Sequence, residues 1–150
     1  MDIYDSEAVQ RVWQRVLQKP GTEIPETALE DWIASCMGAR RSYLAMAGQS
    51  RRLGRLFRTM AAEEAAHIRK LQGLRWLLYG RRDQIFSGSA EGKRDFHAAL
   101  RSRYEAEQAA VREYRTAAQR YPQQEALFLT LAEDAERHCR LLQRAAEGLA

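Results

Sequence analysis

The amino-acid sequence predicts an all-α protein: an antiparallel four-helix bundle with a crossover connection and an extra N-terminal helix. Residues that favour helices, chiefly Ala, Leu, Arg, Glu and Gln, dominate a chain of 150 residues that has three prolines. Two stretches also match at an offset of 71 positions, which pairs Tyr43 with Tyr114 and His67 with His138. Such agreement indicates an internal repeat of one helical hairpin. At this length we expect a single domain with its own core.

The first part of the chain is predicted to contain the extra helix and the first hairpin. Residues 1–20 are amphipathic and lie outside the repeat, so we expect a separate helix there. Pro25 then begins a helix that extends to about residue 47, because proline is favoured in the first helical turn. A short turn leads to a second helix from about 51 to 79. The two helices form the first hairpin, over 26–79.

A long connecting segment and a second hairpin complete the predicted domain. Residues 80–94 are rich in Gly, Ser and charged side chains, which is typical of a loop. Fully extended, such a segment reaches about 50 Å, enough to travel the length of a bundle of about 40 Å. The second hairpin covers 95–150, with helices from about 95 to 121 and from Pro122 onward. The segment is therefore predicted to cross from one end of the bundle to the other.

Ionisable residues occupy inward positions of three predicted helices. Stepping along each helix by threes and fours brings Glu64, His67, Glu107 and His138 to places where the pattern calls for apolar side chains. Burying them without partners would cost on the order of several kcal/mol. A divalent metal would compensate them, because Glu and His at i and i+3 lie on the same face of a helix. The alternative is a metal-free network of hydrogen bonds between Glu and His.

Other polar residues near these positions are expected to play smaller parts. Tyr43 and Tyr114 are predicted to pack in the core with their hydroxyls bonded to buried carboxylates. Glu63 and Asp134 each precede a histidine by four positions, but both lie one step away from the inward stripe. We therefore expect Glu63 and Asp134 to be solvated.

Four stretches of the sequence carry a family resemblance. They are ARRSYLAMA at 39–47, LFRTMAAEEAAHIRKL at 56–71, YEAEQAAVREYRTAA at 104–118 and LFLTLAEDAERHCRLL at 127–142. In these stretches the chain resembles the ferritin-like superfamily and is most similar to the rubrerythrin type of di-iron bundle. In that family two helices each give one Glu and the other two each give a Glu-x-x-His motif, which together hold two irons.

The resemblance implies an atypical ligand set. Glu64 with His67, Glu107 and His138 match the pattern, whereas Cys36 stands where the first Glu would be and Ala135 where the second bridging Glu would be. Two half-sites sharing Glu64 would remain, Cys36 with Glu64 and His67, and Glu64 with Glu107 and His138. The implied site is mononuclear, with Cys36 as a fifth ligand and Tyr43 and Tyr114 beside it. Iron is the expected metal, with manganese or zinc as alternatives.

The implied function is a non-haem metal protein that handles iron with oxygen or peroxide. If it is an enzyme, it is an oxidoreductase of the peroxidase or ferroxidase type. A homodimer is the expected assembly. A separate electron-donor protein is the expected partner, because the sequence contains no rubredoxin-like, Cys-rich tail that could deliver electrons. The rival hypothesis is a metal-free structural or interaction module that has lost the di-iron site. A weaker one is a DNA-protecting relative of ferritin, which the net charge of +4 alone favours.

Cysteine usage and hydropathy bear on the compartment. The two cysteines, Cys36 and Cys139, have no CxxC spacing, which fits reduced thiols. No segment reaches the roughly 18 apolar residues that a membrane span needs. We therefore expect a cytoplasmic protein without a membrane partner.

Overall fold

The computed structural model describes residues 7–8, 11, 23–88 and 95–148, and long α-helices make up most of that part of the chain. The helices are α1 (Glu26–Gln49), α2 (Gly54–Tyr79), α3 (Phe96–Arg120) and α4 (Glu125–Glu147), with a 3-10 turn at Pro122–Gln124 before α4. The described residues contain no β-strand, so the all-α prediction is confirmed. The extra helix expected over 1–20 lies outside the described residues, apart from 7, 8 and 11.

Local sequence explains where several of these helices begin and end. The Asp95 side chain accepts a hydrogen bond from the Ala98 N–H at 3.3 Å and caps the start of α3. Gly80, with φ 67°, ends α2 in the left-handed region that glycine tolerates best. Ser50 Oγ accepts from the Leu53 N–H at 3.1 Å, which orders the turn between α1 and α2. Helix α2 therefore begins at Gly54, three positions later than the sequence suggested.

The hydrophobic core forms two clusters, one toward each end of the bundle. One is built around Phe128, which packs edge-on against Trp32 with ring centroids 5.1 Å apart. The other is built around Tyr43 and Phe57, whose rings stack at 6.3 Å. Burying each large apolar side chain contributes about 1.5–3 kcal/mol, so these clusters supply much of the driving force for folding. The region between them is where the predicted polar residues lie.

The contact between the starts of α2 and α3 requires a crossover connection between these helices, as predicted. Phe96 at the start of α3 packs against Phe57 near the start of α2, with ring centroids 5.9 Å apart. Helices α2 and α3 therefore begin at the same end, and the chain must return from the far end of α2 to reach α3. On its way Ser87 accepts a hydrogen bond from Arg41 of α1 at 2.9 Å.

A buried arginine that sequence analysis did not identify anchors the start of this segment. Arg75, 2% exposed, donates to the Asp83 carbonyl at 3.0 Å and to its carboxylate at 3.2 Å. Its guanidinium also bonds Glu26 at 3.3 Å and Glu30 at 3.4 Å. The segment that follows α2 is thus held against the first turns of α1. None of the described helices is long and apolar enough to cross a membrane.

Candidate metal centre

The predicted polar residues converge between the two apolar clusters. Helix α2 supplies Glu64 and His67, α3 supplies Glu107 and α4 supplies His138, and none of these residues is more than 4% exposed. His138 Nδ1 lies 3.5 Å from Glu64 Oε1 and 3.4 Å from Glu107 Oε1. His67 Nδ1 lies 3.5 Å from the other Glu64 oxygen, Oε2. Glu64 therefore presents one carboxylate oxygen to each histidine.

These residues and Cys36 form what we call the inner cluster. Its members fall into two groups, Cys36 with Glu64 and His67, and Glu64 with Glu107 and His138, and within each group the ligand atoms lie within 4.8 Å of one another. The groups match the half-sites expected from the sequence, with Glu64 common to both. The structure thus brings together every residue that we predicted as a metal ligand.

The outer carboxylates, Glu63 and Asp134, correct one sequence-based expectation. His67 Nε2 lies 2.8 Å from Asp134 Oδ2, and His138 Nε2 lies 2.5 Å from Glu63 Oε2. The side chains of Glu63 and Asp134 are 29% and 22% exposed, so the expectation that they are solvated was wrong. Each carboxylate crosses between α2 and α4 to the histidine of the other helix, because positions one step off the inward stripe face the neighbouring helix there.

One arginine ties the two outer carboxylates together. Arg137 Nη2 donates to Glu63 at 2.6 Å, and Nη1 donates to Asp134 at 3.1 Å. Sequence analysis did not identify Arg137, although its i, i+3 spacing from Asp134 is the helical spacing of an ion pair. The α2–α4 side of the inner cluster is closed by this network, and we call it the closed side.

The predicted tyrosines both contact the inner cluster. Tyr43 donates to Glu107 Oε1 at 2.7 Å, and Arg103 Nη2 donates to the same oxygen at 3.1 Å. The Arg103 guanidinium also lies 5.1 Å from the centre of the Tyr43 ring. The prediction that both hydroxyls bond to carboxylates is confirmed for Tyr43 and wrong for Tyr114, which pairs with Cys36 with the hydroxyl oxygen 3.4 Å from the sulfur. Cys36 stands where the resemblance places a Glu, so the hydroxyl meets a thiol there. These bonds fix the orientation of Glu107 and Cys36.

Comparison with known protein families decides what kind of bundle this is. The sequence pattern of the Rubrerythrin family matches residues 28–146. The chain belongs to the rubrerythrin family. Searches of curated proteins and of solved structures found no match. Within this rubrerythrin-family bundle, Cys36 and Ala135 are buried at 3% and 2% exposure, so the two departures from the resemblance lie inside the core.

Proton positions in this rubrerythrin-family site follow from the close contacts. Burial alone would lower the pKa of His138, but its bonds to Glu107 and Glu64 raise it to about 10. Burial likewise opposes the charged form of His67, yet Glu64 and Asp134 raise its pKa above the usual value. Burial would raise the pKa of Glu64, but His138 and His67 lower it to about 2. Without a metal, His138 is therefore protonated and Glu64 is ionised at neutral pH, and His67 holds its proton more tightly than a free imidazole does.

The thiol of Cys36 behaves differently. Burial, with Glu64 close by, raises the pKa of Cys36 well above its ordinary range. The thiol is therefore protonated in the metal-free protein, and it would have to lose a proton to bind a metal as a thiolate.

A groove opens onto the inner cluster from the side opposite Arg137. It lies between α1 and α3, has a volume of about 720 Å³, and reaches Cys36, Glu64, His67 and Glu107. Small side chains line its walls, among them Ala39, Ala45, Ala99, Ala106 and Ala110. We call this the open side. The inner cluster can thus be reached from one side of the bundle while the closed side is held by ion pairs.

Proposed function

We propose that this chain is a non-haem iron protein of the rubrerythrin type that handles oxygen or peroxide at the inner cluster. The observation that carries the proposal is the arrangement around Glu64. Each of its oxygens faces Nδ1 of a histidine, and Nε2 of each histidine is held by an outer carboxylate. Histidines that bind metals have this pattern, one nitrogen toward the metal and the other bonded to a carboxylate.

The donor set fits a divalent metal. Glu64, Glu107 and His138 offer two carboxylates and one imidazole, a combination that suits iron or manganese. Cys36, Glu64 and His67 offer one thiol, one carboxylate and one imidazole, which suits iron or zinc. Iron is the metal that both groups share. The first group carries more negative charge, so we propose that it holds the metal of a mononuclear site.

The chain's own residues would hold and orient this centre. Iron would supply the change of oxidation state for chemistry with oxygen or peroxide. Tyr43 and Arg103 both donate to Glu107 Oε1, which leaves the other oxygen of Glu107 for a metal. Asp134 and Glu63 fix the rings of His67 and His138. We further propose that the chain is one cytoplasmic domain that works as a homodimer with a separate electron-donor protein.

A metal-free structural module is the second candidate, and one observation favours it. The acidic side chains of the centre, Glu63, Glu64, Glu107 and Asp134, are matched in number by basic ones, His67, His138, Arg103 and Arg137. If His67 carries a proton as His138 does, the network balances its charge without an ion. A divalent metal would take the place of the two imidazole protons and keep the same balance.

Restoring the carboxylates of the family pattern separates the two candidates. If the centre binds metal, Cys36→Glu with Ala135→Glu should raise bound iron from about one toward about two per chain and raise the melting temperature when ferrous iron is added. If the centre is a packed, metal-free network, the same substitutions should lower stability, with overpacking and desolvation each costing about 1–3 kcal/mol. Elemental analysis of protein purified without a metal-binding tag, with melting curves, measures both.

A control checks that added acidic residues alone do not bind iron. Ala98→Glu with Ala146→Glu introduces the same side chains at two exposed positions, more than two helical turns from Glu107 and His138. This control should bind no more iron than the parent. If neither the parent nor Cys36→Glu/Ala135→Glu contains metal or responds to iron, the iron proposal is wrong.

A further inference from the structure

A thiol and a phenol meet between the two hairpins. The sulfur of Cys36 on α1 lies 3.4 Å from the hydroxyl oxygen of Tyr114 on α3. The two residues are 3% and 5% exposed, and 78 positions separate them in the sequence. The Tyr114 ring packs against Trp32 and Phe128, with centroid distances of 6.2 and 6.3 Å, which limits its movement away from the sulfur. Two oxidisable groups are therefore kept in one fixed contact.

This pair can be reached by a small oxidant. Cys36 and Tyr114 both line the groove between α1 and α3, which also reaches Glu64 and Glu107. The Cys36 sulfur lies within 4.8 Å of ligand atoms of Glu64 and His67. Oxidation of a cysteine requires access for the oxidant, and buried structural cysteines are usually inert because they lack it. Peroxide that enters the groove would meet this sulfur beside the proposed iron site.

We propose that Cys36 and Tyr114 become joined by a thioether bond between the sulfur and the ring carbon next to the hydroxyl-bearing carbon. That ring carbon is two bonds from the hydroxyl oxygen that the sulfur already contacts. The S–H bond of Cys36 and one C–H bond of the ring break, an S–C bond forms, and two protons and two electrons are released. Hydrogen peroxide takes up both protons and both electrons and becomes two molecules of water. The modification rests on the proposed function, because the one-electron steps would be supplied by iron held at Glu64.

The link would change both the chemistry and the stability of the protein. A free cysteine that meets peroxide is oxidised stepwise to sulfenic and then sulfinic acid, and the second step is generally irreversible. Joining the sulfur to Tyr114 removes the thiol that enters this series. The link would also connect the first hairpin to the second. A covalent bond across 78 positions restricts the unfolded chain, which stabilises the folded state.

Mass spectrometry of the full chain tests the proposal. The protein is incubated with ferrous iron and hydrogen peroxide, then denatured and treated with a thiol reductant that breaks any disulfide. It should have lost the mass of two hydrogen atoms, and one of its two cysteines should no longer react with a thiol reagent. Trypsin should release fragments 16–40 and 113–115, which contain Cys36 and Tyr114, as one joined species. The melting temperature of the treated protein should rise.

Matched variants identify the atoms that are joined. Cys36→Ser and Tyr114→Phe should lose no hydrogen atoms and give no joined fragment. Cys139→Ser changes the other cysteine, and Tyr104→Phe removes the hydroxyl of a half-buried tyrosine on α3. Both of these variants should still form the link. Melting curves check that each variant is folded.

Several results would overturn the proposal. They are a parent protein that keeps both thiols, a parent that gains oxygen atoms on Cys36 in place of the link, and a joined fragment in Tyr114→Phe. Iron content, measured on the same samples, separates this proposal from the proposed function. Bound iron without a link refutes the thioether alone, and a link in protein that takes up no iron refutes the proposed function alone. The absence of both refutes both.

Discussion

The closed side of the inner cluster is held by ion pairs, whereas the open side is a groove lined largely by small side chains. On the closed side, Arg137 holds two carboxylates, and each carboxylate holds a histidine of the other helix. On the open side, small side chains of α1 and α3 leave a groove that reaches Glu64, Glu107 and one of the two histidines, His67. The comparison teaches that one side of the bundle sets the orientation of the candidate ligands and the other gives access to them. Substitutions on the two sides should therefore have different consequences.

The largest effect is expected where the two sides meet, at Glu64. Glu64→Gln removes the charge that both imidazoles share, and breaking a buried ion pair costs about 3 kcal/mol or more. We expect the free energy of unfolding, measured with urea, to fall by about that amount and bound metal to disappear. Glu105→Gln, at an exposed position on α3, is the matched control and should leave both quantities unchanged. An unchanged urea midpoint in Glu64→Gln would show that the shared carboxylate does not stabilise the folded protein.

Raising the pH should lower the free energy of unfolding of the metal-free protein, because His138 on the closed side loses its proton. The pKa of His138 is raised to about 10 in the folded state, so the folded protein binds its proton more tightly than the unfolded chain does. The free energy of unfolding that this tighter proton binding contributes is fully present below the unfolded pKa of about 6.5 and is lost as pH rises through about 10. We expect a loss of up to about 4 kcal/mol between pH 6.5 and pH 10, measured by urea unfolding.

Two variants identify the group responsible for that pH dependence. His138→Gln should flatten the decline in stability above pH 6.5, because it removes the titrating imidazole. His97→Gln, which changes an exposed histidine near the start of α3, should keep the decline. If both variants decline as steeply as the parent, His138 is not the source.

A smaller effect is expected from Arg137. Arg137→Met frees both outer carboxylates, but the arginine is 42% exposed, so solvent screening limits the loss of stability to about 1 kcal/mol. Because the outer carboxylates would orient the histidines less firmly, iron affinity should fall about tenfold, which competition with a chelator measures. Arg140→Met, at an exposed position on the same helix, should change neither. Equal iron affinity in the two variants would show that the closed side does not orient the ligands.

The smallest effect is expected on the walls of the open side. Ala45 is exposed and Ala109 is half-buried, and neither packs in the apolar clusters. Ala45→Gln and Ala109→Gln should therefore change the free energy of unfolding by less than about 0.5 kcal/mol and leave metal content as it was. A loss above about 1 kcal/mol would mean that the open side contributes to stability as the closed side does.

Helical periodicity predicted most of the fold and the inner cluster. Glu64, His67, Glu107 and His138 could be found because a buried stripe repeats every three to four residues, and ionisable residues stand out on it. The same periodicity failed for Glu63 and Asp134. A residue one step off the stripe faces either solvent or a neighbouring helix, and the distance and angle between two helices decide which.

Contacts between distant parts of the chain also escaped prediction. Arg75 looked like any other arginine in α2, because its partners Glu26, Glu30 and Asp83 lie in other segments. The sequence did not predict the groove either, because alanines at helical spacing usually indicate close packing of helices. Its presence depends on how far apart α1 and α3 lie, which composition and spacing do not specify. The internal repeat stays a prediction. The contacts of His67 with Asp134 and of His138 with Glu63 are equivalent under its offset of 71 positions.

The anchoring of the connecting segment has a consequence for assembly. Two copies of a bundle made of hairpins can exchange one hairpin each, provided that the connection between hairpins can swing away from its own chain. Here Arg75 holds Asp83 beside α1, and Arg41 holds Ser87 further along the same helix. An exchange that pivots within residues 80–88 would break these bonds and uncover a buried guanidinium. Those residues therefore stay with the helices of their own chain, and all the candidate metal ligands described above lie in one polypeptide.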